Sequence, residues 1–229
     1  MISQSATTRV ADFIISYRRD HMLDLTSSLL HEAPLAFLDV ETTGLRPDLG
    51  DRVVEIAVLR TQGPTEVARF VSLVNPGRRL GMGAAQVNGI TEAMLVDAPA
   101  FGDLLDRVLP LLEGVAVVCH NVPFDLSFLE AELCRAGVPV WDGIALDTLA
   151  FARRQYWFRR NSLAAIASQL GIRPTGAHRA LADVLTTQAV FRRFAGRLRE
   201  QQRPLVADWL RMQGGRVWRP SSRTEWTTD

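Results

Sequence analysis

The sequence has no lysine; all 26 basic residues are arginine. That bias reflects genomic base composition before function, although arginine offers planar, two-pronged contacts to phosphate that lysine does not. Cysteine is almost as scarce. Cys119 and Cys134 are too few for a disulfide framework, so reduced thiols and a cytoplasmic location are expected. Apolar runs such as Val115 to Cys119 fall far short of the roughly 20 residues that a membrane-spanning helix needs, so no membrane partner is expected. The short patch Phe13-Ile14-Ile15 is followed at once by Arg18, Arg19 and Asp20, which is not the layout of a secretory signal.

What is present is a globular composition: 229 residues, 47% hydrophobic and 22% charged, enough for one well-buried domain with some extension left over. The net charge of +1 is uninformative as a sum but uneven along the chain. Residues 1–149 hold 11 Arg against 20 acidic residues, and residues 150–229 hold 15 Arg against 5. An acidic first part and a basic second part suit carboxylates that gather metal ions and arginines that hold a phosphate backbone, and equally suit ordinary surface charge.

Residues 1–33 carry a loose helical pattern ending at Pro34, read as an N-terminal helical extension. Leu35 to Val40, Val53 to Arg60 and Val67 to Val74 read as three strands with tight links, an antiparallel meander. A helical pattern through Phe101 to Leu112 then leads to a fourth strand at Val115 to Cys119, and Pro123 opens a helix closed by Gly137. Gly143 to Asp147 is a short fifth strand, and helices are expected over Ser162 to Leu170 and Arg179 to Phe194. A meander followed by alternating strands and helices implies an α/β fold with a mixed five-stranded sheet flanked by helices, spanning residues 34–196. Residues 197–229 form an Arg/Trp-containing tail that either packs back on the core or engages a partner.

Three segments carry candidate chemistry. In Phe37-Leu38-Asp39-Val40-Glu41-Thr42-Thr43-Gly44-Leu45, side chains two apart on a strand share a face, so Asp39 and Glu41 project together. Two adjacent like charges are costly unless a cation bridges them, and hard oxygen ligands favour Mg²⁺ or Mn²⁺. In His120-Asn121-Val122-Pro123-Phe124-Asp125 the acid falls in a helix's first turn, where it also suits the helix dipole. In His178-Arg179-Ala180-Leu181-Ala182-Asp183 a loop histidine precedes an acid on an otherwise apolar helix. Each segment alone reads as ordinary surface or cap chemistry. Arg153-Arg154-Gln155-Tyr156-Trp157-Phe158-Arg159-Arg160 either tracks a nucleic-acid strand or forms a helix with aromatics inside and arginines outside, the second being the favoured expectation.

Together, D-x-E-T-T-G-L, H-N-x-x-F-D and H-x-A-x-x-D resemble, in type, order and spacing, the DnaQ-like (DEDDh) exonucleases, a family that includes the proofreading epsilon subunit of bacterial replicative polymerase, RNase T and oligoribonuclease. Val54-Glu55-Ile56-Ala57, Asn88-Gly89-Ile90-Thr91, Leu146-Asp147-Thr148 and Arg160-Asn161-Ser162-Leu163 resemble further family segments, although Asn88 stands where the family often has histidine. The resemblance spans about Leu35 to Phe194 and implies an RNase H-like fold. It also implies that Asp39, Glu41, Asp125 and Asp183 hold two Mg²⁺ or Mn²⁺ ions while His178 is the general base, an imidazole being suited to proton transfer near neutral pH. The substrate grip it implies comprises Thr42, Thr43, Leu45, Val87, Asn88 and Phe124. The activity implied is 3′-to-5′ removal of nucleoside monophosphates from single-stranded or frayed DNA ends, with RNA 3′-end trimming and a non-catalytic nucleic-acid-binding module as alternatives. The partners implied are a single-stranded 3′ end and, beyond it, a DNA polymerase subunit or a second copy of the chain.

Overall fold

The computed structural model describes residues 25–174 and 178–220. The N-terminal extension lies mostly outside those residues, as does Trp226 of the tail.

Five strands form one sheet in the order β3-β2-β1-β4-β5. They are β1 (Pro34–Thr42), β2 (Val53–Gln62), β3 (Thr65–Leu73), β4 (Ala116–Cys119) and β5 (Ala145–Asp147). β1, β2 and β3 are antiparallel, while β4 and β5 run parallel to β1, so the sheet is mixed. Among the described residues eight α-helices accompany it: α1 (Met82–Asn88), α2 (Glu92–Leu95), α3 (Leu105–Leu112), α4 (Val122–Arg135), α5 (Thr148–Gln155), α6 (Leu163–Gln169), α7 (Ala180–Glu200) and α8 (Val206–Gln213).

Alternation along β1 decides which residues reach which face. Ala36, Leu38 and Val40 pack with Ile56 and Val58 against Val108 and Leu112 of α3 and Leu126, Leu129 and Leu133 of α4. Leu35 and Phe37 pack with Ala57, Leu59 and Val118 against Val184, Phe191 and Phe194 of α7. Asp39 and Glu41 continue the Leu35 and Phe37 series, so the pleat delivers both carboxylates to the α7 face. A slip of one residue would bury them among the leucines of α4 instead.

The tail beyond position 196 begins inside α7, which runs on to Glu200 before α8 turns back onto the same face. Trp209 of α8 is fully buried and stacks on Phe151 at 4.1 Å. Gln213 ties this helix to β5: its side-chain carbonyl accepts the Asp147 N–H at 2.8 Å and the Trp209 Nε1–H at 2.9 Å, and its amide donates to the Ala145 carbonyl at 3.1 Å. Across the sheet, Arg52 at the entry to β2 forms a two-pronged pair with the buried Glu132 of α4, at 2.7 and 2.8 Å. The two cysteines, both among the described residues, are not joined by a disulfide. No helix among the described residues is long and apolar enough to cross a membrane.

Candidate active site

One oxygen from each of Asp39, Glu41 and Asp183 lies within 4.8 Å of the other two. β1 supplies the first pair, and α7 brings Asp183 in its first turn over the same face of the sheet. Asp125, in the first turn of α4, reaches from the opposite face; its Oδ1 accepts the Val40 N–H at 3.2 Å, and the carboxyl is buried. The structure therefore gathers three of the four expected carboxylates directly. Asp125 stands behind them, close enough for its charge to act on Asp39.

The electrostatics are those of a site short of positive charge. Burial, then the charges of Asp125, Asp183 and Glu41, push the Asp39 carboxyl well above its usual range. Burial, then Asp183 and Glu55, raise Glu41 from the ordinary 4.5 to about 7, with Asn88 and Arg179 opposing. Burial raises Asp125, against the Val40 N–H that favours its ionised form. Asp183 is also raised by burial, offset by the His178 ring and backbone N–H beside it. Three hard oxygen donors that repel one another and share an opening fit a divalent cation.

His178 is exposed and has a left-handed backbone, φ 61°, just before α7. Its position depends on a contact that sequence reasoning did not identify. Glu55 lies directly opposite Glu41 in the β1/β2 ladder and is buried. It accepts from Arg179 Nε at 3.1 and 3.2 Å, from an Arg179 terminal nitrogen at 2.6 Å and from the Ala180 N–H at 2.9 Å. One buried carboxylate thus binds the residue after His178 and the first N–H of α7, fixing both His178 and Asp183 relative to β1. The available signal was a single acid inside the apolar run Val53-Val54-Glu55-Ile56-Ala57-Val58.

A second organiser is Asp147. Its Oδ1 accepts the N–H groups of Asn121, Leu149 and Ala150, and its Oδ2 that of Val122. It therefore caps α5 and locks the entry to α4, the turn that presents Asp125. Asn121 has a left-handed backbone at this entry, φ 84°. His120, one residue earlier, is wedged between the Thr148 hydroxyl at 2.8 Å and the Asn161 carbonyl at 3.0 Å. Burial holds its imidazole below the ordinary pKa, and the Arg153 charge acts in the same direction. Facing a carbonyl, which can only accept, Nε2 donates to Asn161.

The expected substrate-gripping residues divide in two. Leu45 and Val87 stand exposed, 76% and 57%, as apolar side chains facing water must if a base is to press on them. Thr42 and Thr43 are buried and shape the loop after β1: Thr42 Oγ1 donates to the Gly44 carbonyl at 2.5 Å, and Thr43 Oγ1 donates to Asp51 at 3.0 Å while accepting the Arg52 N–H. Asp51 also accepts the Arg46 N–H, and its carboxylate lies so close under Gly44 that any Cβ there would collide with it. Asn88 is buried and hydrogen-bonds Glu41 through its side chain, while its Oδ1 accepts the Ile90 N–H at 3.0 Å. A residue expected to grip substrate therefore also braces a carboxylate. Phe124 is half-buried, its ring 5.1 Å from Phe128.

The Arg-aromatic segment is not one helix. α5 ends at Gln155, and Tyr156 begins an extended stretch.

The family model described as Exonuclease (RNase T) matches residues 36–191. A DNA polymerase III subunit epsilon-like protein of Rhodobacter capsulatus is 40% identical over 179 residues, covering 72% of this chain and 25% of that protein. The 3′-5′ exonuclease DinG of Bacillus subtilis is 31% identical over 176 residues, covering 76% of this chain and 19% of that protein. This chain thus spans a quarter or less of either relative's length. Among solved structures, exonuclease X in complex with 5′ overhanging duplex DNA superposes with a TM-score of 0.58 at 27% identity, covering 76% of this chain and 99% of that one. The match over most of the sheet and all three acidic segments places the chain in the RNase T family of exonucleases.

Proposed function

We propose that this chain is a metal-dependent 3′-to-5′ exonuclease that releases nucleoside monophosphates from single-stranded or frayed DNA 3′ ends. The observation that carries this reading is the convergence of Asp39, Glu41 and Asp183 within 4.8 Å, with Asp125 behind them and His178 fixed beside Asp183. The donor set fits two Mg²⁺ or Mn²⁺ ions held by Asp39, Glu41, Asp183 and Asp125. Such ions, when bound, lower the pKa of the attacking water and offset charge on the departing 3′ oxygen.

The chain's own residues supply the rest. His178 accepts the proton of the attacking water, its exposure leaving the ring open to solvent and substrate. Glu55 and Arg179 hold the loop so that the ring and Asp183 keep one spacing. Leu45 and Val87 press on the terminal base from the exposed rim, and the half-buried Phe124 adds to the same apolar wedge. The polymerase-related names among the relatives support a place beside a DNA polymerase, in the cytoplasm.

The test uses the purified chain with Mg²⁺ or Mn²⁺ and a 5′-labelled single strand of DNA. A ladder shortening one nucleotide at a time from the 3′ end is expected, with none in EDTA. Internal cuts, no ladder, or cleavage that survives EDTA refutes the reading. RNA and a duplex with a mismatched 3′ end, run alongside, rank the substrates.

A further inference from the structure

One exposed side chain is not used by the hydrolytic machinery. Trp157 is 89% exposed, the most exposed of the large hydrophobic side chains among the described residues. Its orientation follows from its neighbours. In an extended segment alternate side chains point to opposite sides. Tyr156 stacks on Phe194 at 4.9 Å and on Phe158 at 5.3 Å, so both neighbours face the core and Trp157 must face water. The Arg197 guanidinium also lies over the Tyr156 ring, 5.6 Å from its centroid, anchoring the stretch further.

The surroundings are mainly basic, with the Glu200 carboxylate near enough to act on Tyr156. Between Asp147 and Asp183 the sequence has six arginines and no acidic residue. Arg153, Arg159 and Arg160 are exposed and, among the described residues, form no ion pair; Arg154 lies against Gly214. A lone exposed aromatic needs no explanation, but one on a rigid mount in a segment with several arginines and no acidic residue of its own has chemistry suited to an anionic, ring-bearing ligand.

The patch is joined to the active site. Asn161, four residues after Trp157, accepts the His120 hydrogen bond, and Arg153 lies close enough to act on the same ring. His120 leads through Asn121 into the turn that carries Asp125. Four residues span about 14 Å at most, so Trp157 stands within a few nucleotides' reach of that turn.

We propose that Trp157, with Arg153, Arg159 and Arg160 around it, is a stacking platform that holds a nucleic-acid single strand upstream of the 3′ end being cut. A base stacks on the indole face, and the arginines contact the flanking phosphates. The proposal deepens the exonuclease reading and takes its strand polarity from it. Charge complementarity favours a nucleic-acid strand over an apolar protein surface as the occupant.

Binding is measured by fluorescence anisotropy in EDTA, where hydrolysis is off, with 5′-fluorescein-labelled dT12, dT3 and rU12. Trp157→Ala is expected to weaken dT12 binding roughly 5- to 150-fold and to leave dT3 unchanged, with Trp157→Phe retaining most of the affinity. Arg159→Gln with Arg160→Gln is expected to reduce the slope of log affinity against log salt by about 1.4. An equal loss for rU12 assigns the platform to either nucleic acid, and a loss confined to dT12 assigns it to DNA. Unchanged dT12 binding by Trp157→Ala, or an equal loss on dT3, overturns the platform. Normal laddering by a variant whose dT12 binding is also normal sinks the platform and spares the exonuclease; Trp157-dependent binding by a protein that cuts nothing does the reverse.

Discussion

Removing metal and raising the pH should weaken the fold through Glu41. Its carboxyl is raised from the ordinary 4.5 to about 7, chiefly by burial and then by Asp183 and Glu55. The folded protein therefore holds this proton more tightly than the unfolded chain. The stability contributed is fully present below about pH 4.5 and is lost as the pH climbs through about 7. A shift of that size corresponds to about 3 kcal/mol at most. Water reaches part of the carboxyl, and its screening brings the expected loss to about 1–2 kcal/mol. For a chain of this length that is a fall in melting temperature of roughly 2–8 °C. The assay is thermal melting in EDTA at pH 5 and pH 8.5, wild type against Glu41→Gln. The substituted protein, which cannot ionise there, should lose less than the wild type by that margin. Adding Mg²⁺ at pH 8.5 should restore the wild type and stabilise Glu41→Gln less, because that variant keeps the other carboxylates but lacks one ionised ligand. Parallel losses in the two proteins, with or without Mg²⁺, would show that Glu41 is not held above its ordinary range.

Asp183→Asn and His178→Ala should each lower exonuclease turnover at least about 100-fold with far-UV circular dichroism unchanged; near-normal rates in either contradict the assigned roles. Glu55→Gln should cost about 2–3 kcal/mol, since Arg179 loses its carboxylate, and should lower kcat more than it raises KM; a pure KM effect would place Glu55 in substrate binding instead. Gly44→Ala should force Asp51 aside and cost about 1–3 kcal/mol in chemical denaturation, so an unchanged midpoint would mean that the loop yields freely.

The parts of the site readable in the sequence are those set by local periodicity. Asp39 and Glu41 share a face because a strand repeats every two residues, and Leu35 and Phe37 before them say which face. Asp125 was recognisable at a helix start, yet the strand of chain that carries its partner, Val40, is 85 residues away. Glu55 and Arg179 are 124 residues apart, and nothing in local spacing joins them. The same holds for Asp147, whose oxygens serve N–H groups on two helices. Trp157 shows the converse failure: an alternation of arginines and aromatics suits helix and extended chain alike, and the Phe194 ring that takes up Tyr156 and Phe158 decides between them. Trp209 fills the core from the Arg/Trp-containing tail, for which the sequence left packing on the core and engagement of a partner equally open.

Gln213 has a consequence for solution behaviour. β5 is an outermost strand of three residues, and its outward N–H at Asp147 and outward carbonyl at Ala145 are the groups that an incoming strand would pair with. A single amide side chain satisfies both, acting as a strand one residue long that offers no further edge of its own. α8 is in this sense a guard against sheet-to-sheet association between molecules. Losing it would expose a template for aggregation as well as a cavity where Trp209 had been.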